Sequence, residues 1–342
     1  MLSEYYSRQV ALHELGVNGQ RKLRESKVAV VGVGGLGSIV ALYLALAGIG
    51  YIKIIDQDIL EIHNIHRQVL YSIDQIGYPK VEVAAERLRK ANPDVYVEPI
   101  PESINALNAE KLIGDVDVVV DGLDNMNTRY IINRVCIKNR IPYVFGGAIG
   151  FEGNVSVFNP PETPCLECVF PSINDKALPT CETRGVIGAT TGIIGAIEAM
   201  EAIKVIAGIN SGLKGKLLVC DFKHMEFLAI KVFKRPNCPA CSGKAELKRS
   251  KLKITWMCGG KTINVNPISP LNIPLEEMYE RIKLRFKVKL KSAMMIAFKY
   301  NDDVEVSIFR GGRMLIKNVN DEDQALSIYK NLIEFLKVSS YG

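Results

Sequence analysis

Three short patches of this chain carry residues suited to chemistry on a phosphate. They are Gly32-Val33-Gly34-Gly35-Leu36-Gly37, Asn64-Ile65-His66-Arg67-Gln68 and Asp124-Asn125-Met126-Asn127-Thr128-Arg129. In the first, Gly32, Gly34 and Gly37 permit a tight turn and let backbone N–H groups close on phosphate oxygens. The second offers the planar fork of Arg67, which matches phosphate geometry, beside the amides of Asn64 and Gln68. The third offers Asp124, a carboxylate of the kind that holds Mg²⁺ against phosphate oxygens. Asp124 could instead cap the helix that follows it, as could Asn125 or Asn127. Asp56 stands 19 residues beyond Gly37, where a ribose hydroxyl would lie. Lys80 follows Pro79 at a helix start, a place that disfavours a cation unless an anion is near. The glycine turn and Asp56 also fit an NAD-dependent oxidoreductase, but that reading gives Arg67, Lys80 and Asp124 no purpose.

The elements that must position these groups alternate strand and helix over residues 27–147. Val28–Val33 reads as a buried strand, Gly35–Ala47 as a helix and Tyr51–Asp56 as a strand. A helix runs from Pro79 to Ala91 and is ended by Asn92-Pro93. Strands follow at Val95–Ile100 and Val116–Asp121, then a helix at Asn127–Lys138 and a strand at Pro142–Phe145. Valine-rich Val116–Asp121 suits a parallel sheet covered on both faces. The pattern is that of a doubly wound, mostly parallel α/β sheet. Beyond it, Gly153–Phe158, Lys216–Asp221 and Met225–Phe233 read as strands, and Ile187–Ala207 as a long helix.

Cys165-Leu166-Glu167-Cys168 and Cys238-Pro239-Ala240-Cys241 form two Cys-x-x-Cys pairs. Four thiolates in two such pairs suit tetrahedral Zn²⁺, with unliganded thiols as the alternative. Cys136 and Cys220 fall in core elements, Cys258 in the tail. Cys181 sits in a polar loop near Arg184, a neighbour that favours a thiolate.

The chain has 342 residues and a net charge of +6. Residues 246–342 hold 17 Lys/Arg against 11 Asp/Glu, so the excess lies wholly in the tail and points to an acidic partner there. Arg281–Lys291 alternates charged and apolar residues; as a strand it would put six cations on one face. A helix set by Leu275, Met278, Tyr279 and Ile282 competes for its start. No aromatic residues interleave on the charged face, so nucleic acid is disfavoured. The tail reads strand–strand–helix–strand–strand–helix after a basic joint at Lys248–Lys253, and the domains divide as 1–247 and 248–342. Residues 28–52 carry no charge, but glycines interrupt them and argue against a membrane helix. Met1–Val10 has no apolar signal region, so a cytoplasmic enzyme with no membrane partner is expected.

On Gly32–Gly37, Asp56-Gln57-Asp58, Asn64-x-x-Arg67-Gln68, Lys80, Asp124-Asn125 and the two cysteine pairs, the chain resembles the MoeB/ThiF class of adenylyltransferases, relatives of ubiquitin-activating enzymes. The resemblance covers roughly residues 1–245. It implies a Rossmann-like adenylation domain with a zinc-bound segment, followed here by a small α+β C-terminal domain. It implies ATP bound by Gly34, Gly35 and Gly37, with Asp56 on the ribose and Asp58, Asn64, Gln68 and Asn125 around the nucleotide. Arg67 and Lys80 would meet the phosphates, and Asp124 the Mg²⁺. Zn²⁺ would sit on Cys165, Cys168, Cys238 and Cys241. Arg8 matches an arginine that the class inserts from the other subunit of a homodimer. Cys181 matches a cysteine that some relatives use for thioester or persulfide chemistry, although Arg184 departs from the small residue expected beside it. The implied substrate is the C-terminal carboxylate of a small ubiquitin-like carrier ending in Gly-Gly, with a sulfurtransferase or conjugating partner downstream. Adenylation of a tRNA base, known in the same superfamily, remains the internal alternative.

Overall fold

The computed structural model describes residues 2–175, 178, 183–245, 253–256, 261–267 and 269–338. Cys181, Cys258 and residues 248–252 of the basic joint lie outside them. Contacts divide the chain into Met1–Ile76 with Lys80–Lys248, and Gly77–Pro79 with Arg249–Gly342.

The first unit opens with α1 (Leu2–Tyr5), α2 (Ser7–Val10) and α3 (Gly16–Glu25). Then come β1 (Lys27–Val31), α4 (Gly35–Ala47), β2 (Tyr51–Ile55), α5 (Lys80–Ala91), β3 (Tyr96–Ile100), α6 (Ala109–Ile113), β4 (Val118–Asp121) and α7 (Met126–Asn139). β5 (Tyr143–Ile149), β6 (Glu152–Phe158), α8 (Leu166–Val169), α9 (Gly188–Ala207), β7 (Lys216–Asp221) and β8 (Glu226–Lys231) complete it. One sheet runs in the order β3-β2-β1-β4-β5-β6-β7-β8. Its first five strands are parallel and its last three antiparallel. The change of direction has a local cause. Only Gly150 and Phe151 join β5 to β6, too few for the crossover a parallel pair needs. Gly150 makes that turn in the left-handed region, at φ 57°.

Burial follows the chemistry of the strands. Val28, Val30, Val119 and Val120 are fully buried, as expected for parallel strands covered on both faces. By contrast, every residue of the edge strand β8 is exposed. α4 packs on α9 through small residues: a Cβ on Gly195 would lie 2.8 Å from the Leu36 carbonyl oxygen. Among the described residues, no helix is long and apolar enough to cross a membrane.

The second unit holds β9 (Lys253–Trp256), β10 (Thr262–Asn266), α10 (Leu275–Arg285), β11 (Lys287–Lys291), β12 (Met295–Lys299), β13 (Glu305–Phe309), β14 (Met314–Lys317) and α11 (Glu322–Val338). Its strands form an antiparallel sheet ordered β11-β12-β13-β14-β10-β9. Ile263, Phe298, Val306 and Ile316 meet Met278, Ile282 and Leu336 of the helices in one core. Four strands separate the two helices where the sequence pattern suggested two. The single basic strand does not form. Leu275, Met278 and Ile282 face the core at helical spacing and carry α10 through Arg285, so only Lys287, Lys289 and Lys291 share a strand face. Lys289 pairs with Glu305, and Lys291 with Glu276.

Candidate active site

The order of strands places β1 between β2 and β4, so the chain leaves the middle of the sheet in both directions. A crevice at the carboxyl ends of β1 and β4 follows from that switch. The glycine turn lies in it. Gly32 adopts φ 85° and donates its N–H to the Ile55 carbonyl at 2.7 Å. A Cβ on Gly37 would fall 1.8 Å from the Gly32 carbonyl oxygen, and one on Gly122 2.4 Å from it. The fold itself demands those three glycines. Gly34 is different. The nearest atom to a Cβ there is Gln68 Nε2 at 3.7 Å, an ordinary contact. Packing leaves Gly34 bare, and no side chain caps α4, whose first-turn amides are thus free for an anion.

Polar groups surround that bare face. Asp56 accepts N–H groups from Val33 and Asp58, each at 2.8 Å, and Tyr71 donates its hydroxyl to the Val33 carbonyl at 2.7 Å. Lys80 is buried with Nζ 2.7 Å from Asp58 Oδ2. Burial draws its pKa down, yet the carboxylates of Asp58, Asp56 and Asp124 outweigh this and hold it above the usual lysine value. The protein's own acids thus account for a cation at this helix start. Gln68 is only 3% exposed, and its Oε1 meets no donor among the described residues. Asp58 Oδ1 is likewise buried without a partner. Leaving such atoms unsatisfied costs on the order of 1–3 kcal/mol each, so the crevice is built for a polar ligand.

The other two patches divide their work. Asn64 lends Oδ1 to the Glu61 N–H at 3.0 Å and so shapes the turn that carries Arg67. Arg67 engages only Nη1, with the His63 carbonyl at 2.6 Å and His66 Nε2 at 2.9 Å, leaving its other donors without partners among the described residues. α9 presses on this turn from behind: a Cβ on Gly188 would lie 2.7 Å from the His66 carbonyl oxygen. Asn125, not Asp124, caps α7, accepting the Thr128 N–H at 2.9 Å. Asp175 takes the N–H groups of Met126 and Asn127, at 2.5 and 3.2 Å. Asp124 is therefore exposed at the end of β4 with no capping duty.

Arg129, from the same patch, is buried. It bonds Asp121 at 2.8 Å and the carbonyls of Leu123 and Gly146 at 2.6 and 2.7 Å. Tyr143 donates to Asp121 at 2.6 Å, and sequence spacing gave no sign of this network. Glu198 of α9 adjoins it, fully buried, with both carboxyl oxygens unpartnered among the described residues. Burial, then Asp121, push its pKa well above the usual glutamate value against the pull of Arg129.

Arg8 does not reach this crevice. Its helix α2 is anchored at the opposite end of α4, where Gln9 donates to the Ala47 carbonyl at 3.3 Å and Tyr6 packs on Gly48. The 13 residues of α4 span about 20 Å. Arg184 forms an ion pair with Glu152, and Cys181 lies outside the described residues. A cleft of about 650 Å³ opens beside His66 between Phe151, Arg184, Ile187, Asp221 and His224.

The four cysteines of the two pairs converge although 69 residues separate Cys168 from Cys238. Their sulfurs lie within 4.8 Å of one another, with Cys165–Cys238 and Cys168–Cys241 at 3.6 Å and Cys165–Cys168 at 3.8 Å. A tetrahedron with Zn–S bonds of about 2.3 Å has sulfurs about 3.8 Å apart, so the cluster fits zinc.

The ThiF family model matches residues 6–240. The chain belongs to the ThiF family. It is 38% identical over 260 residues to the sulfur carrier protein adenylyltransferase of Thermus thermophilus, an alignment covering 74% of this chain and 96% of that protein. It is 40% identical over 246 residues to the adenylyltransferase and sulfurtransferase MOCS3 of Culex quinquefasciatus. That match covers 71% of this chain, which spans only 56% of the insect protein. Among solved structures, E. coli MccB with ATP superposes with a TM-score of 0.63 at 27% identity, over 70% of this chain and 74% of MccB.

Proposed function

We propose that the chain uses ATP to adenylate the C-terminal glycine carboxylate of a small ubiquitin-like or sulfur-carrier protein. The observation that carries the reading is the buried, unsatisfied Gln68 carboxamide beside bare Gly34, at the uncapped start of α4. A triphosphate supplies acceptors to the free amides of that helix start, whereas Gln68 Oε1, itself an acceptor, would take a donor such as a ribose hydroxyl or a metal-bound water. The names of the relatives supply the substrate class, and the open cleft beside His66 offers room for an extended polypeptide end.

Two anions must meet in this reaction, so the protein's task is positioning and neutralisation. The amides of the first turn of α4 hold phosphate oxygens, and Asp56 takes the ribose. Lys80 is fixed by Asp58 as a permanent cation, and the spare donors of Arg67 turn to the phosphates. Asp124 is the residue to hold Mg²⁺, which when bound neutralises charge on the departing pyrophosphate. The carrier carboxylate is already ionised and needs no base. Its oxygen bonds the α-phosphorus as the bond to pyrophosphate breaks, leaving an acyl-adenylate. Arg8 enters from a second copy in a homodimer, since within one copy its helix α2 packs at the far end of α4 from the glycine turn. Cys181 is the thiol we assign to the next step: its thiolate attacks the acyl carbon, AMP leaves, and a thioester remains. The zinc cluster would clamp the segment after β8 to the start of α8.

Carrier-dependent ATP–pyrophosphate exchange tests the reading. Exchange should require a carrier with an intact terminal Gly-Gly and should vanish in Asp124→Ala. Exchange driven by tRNA instead, or persisting in Asp124→Ala, would overturn it.

A further inference from the structure

Asp175 belongs to none of the phosphate-binding patches, and sequence spacing gave no sign of it. The structure brings it to the start of α7, although 48 residues separate it from Asn127. Its Oδ1 accepts the Met126 N–H at 2.5 Å. Its Oδ2 accepts the Asn127 N–H at 3.2 Å and the Asn127 side-chain amide.

The segment from Cys165 to Asp175 holds it there. Glu167 takes Arg134 through both oxygens, at 2.9 and 3.0 Å, and the Asn133 amide at 3.1 Å. The Tyr130 hydroxyl donates to the Phe170 carbonyl at 2.8 Å and accepts the Ile173 N–H at 2.7 Å. Met126, Tyr130, Asn133 and Arg134 recur at helical spacing, so the segment runs antiparallel along one face of α7. Asp175 is thus carried by a strap fastened at two further places, and its position does not depend on Asp124.

The first amides of a helix have no partner within it, and a carboxylate relieves them. Asn125 satisfies only that of Thr128. Asp124 lies one residue upstream of this cap. An aspartate readily accepts the N–H two positions on, which here is that of Met126. Asp175 already holds that N–H. Asp124 consequently stays exposed, with Asn125 Nδ2 at 3.3 Å as its one hydrogen-bond donor among the described residues. The geometry points to Asp175 as a positioning residue of the active site: by occupying the first amides of α7, it keeps the Asp124 carboxylate free for Mg²⁺. The inference deepens the adenylation reading and rests on its assignment of Mg²⁺ to Asp124.

Calorimetric titration of the full chain with ATP, in buffers with and without Mg²⁺, tests it. Mg²⁺ should tighten ATP binding by the wild type. In Asp175→Ala the vacant amides draw Asp124 in. If that form outnumbers the free one by about ten to one, the affinity in Mg²⁺ falls about tenfold. Affinity without Mg²⁺ should be unchanged, because the amides of α4, Lys80 and Arg67 are untouched. The melting temperature should also hold, because Asp124 replaces the lost cap. Asp175→Asn keeps one acceptor oxygen and should fall between. Adding Asp175→Ala to Asp124→Ala should alter the Mg²⁺ dependence no further, since one residue acts through the other, and only this double variant should melt earlier. A plain structural role would instead lower the melting temperature of Asp175→Ala and both affinities together. Wild-type Mg²⁺ dependence in Asp175→Ala, equal losses with and without Mg²⁺, a further loss in the double variant, or wild-type ATP binding indifferent to Mg²⁺ would overturn the proposal. No carrier enters this assay, so a chain that binds ATP and Mg²⁺ as described yet adenylates no carrier would sink the adenylation reading alone.

Discussion

Replacing Gly34 and Gly37 by alanine, one at a time, separates what the fold requires from what a ligand requires. In Gly37→Ala the new methyl carbon would sit 1.8 Å from the Gly32 carbonyl oxygen and 2.8 Å from its carbon. Both are backbone atoms of a turn pinned by the Gly32–Ile55 hydrogen bond, so they cannot rotate aside. Ordinary contact would need α4 to retreat by more than an ångström, and eight of its residues are buried. Overpacking of that kind costs about 3 kcal/mol or more. In Gly34→Ala the nearest atom is 3.7 Å away, so the fold should change by no more than about 1 kcal/mol, the range of an N-cap or glycine-entropy effect. The methyl would, however, stand where the proposed reading brings a phosphate to the amides. Losing one charge-assisted hydrogen bond costs about 1.5–3 kcal/mol, or roughly 10- to 100-fold in affinity. Urea denaturation gives the stabilities and calorimetric titration the ATP affinities. Gly34→Ala should be stable and bind weakly, whereas Gly37→Ala should be unstable. Wild-type ATP affinity in a folded Gly34→Ala would refute the reasoning, because the bare face would then not be the phosphate face.

Arg8→Ala and Asp124→Ala should each be inactive alone, whereas an equal mixture should recover about one quarter of wild-type exchange activity, because in the proposed homodimer half the pairs would be mixed and one of their two sites would be intact. No recovery after subunit exchange would rule out a shared site. Glu198→Gln should gain stability over the wild type as pH rises. An acid whose folded pKa is raised is penalised once pH passes its ordinary value of 4.5, and the penalty grows until the folded pKa is reached. Denaturation at pH 5 and pH 8 measures the gap, and a gap that does not widen would mean Glu198 is not held neutral. Elemental analysis should find one zinc per chain. Cys168→Ser or a strong chelator should remove it and lower the melting temperature, and an unchanged melting temperature without zinc would deny the cluster a structural role.

The alternating strands and helices of residues 27–147 were legible because buried parallel strands must be apolar and their crossovers must be helical. The predicted helices at Gly35–Ala47, Pro79–Ala91 and Asn127–Lys138 agree with α4, α5 and α7 to within a residue or so. The basic stretch from Arg281 was open to a strand or a helix at its start. Its alternation is compatible with both periods at its start, and the packing of Met278 and Ile282 into the core chose the helix. The crevice was legible as residue types but not as roles. Asn125 and Asp124 are neighbours of similar size, and only the geometry at the start of α7 gave the cap to one and left the other free.

By itself the chain's order of residues determined the glycine turn, the acids and cations at strand ends and the two cysteine pairs, because each depends on neighbours within a few positions. Tertiary structure alone decided which glycine is bare, that Asp58 answers Lys80, that Arg129 is buried with Asp121, and that four cysteines close to within one metal's reach. Those outcomes are distances between groups on different elements, from 8 residues apart for Arg129 and Asp121 to 73 for Cys165 and Cys238, and such distances exist only once those elements have packed.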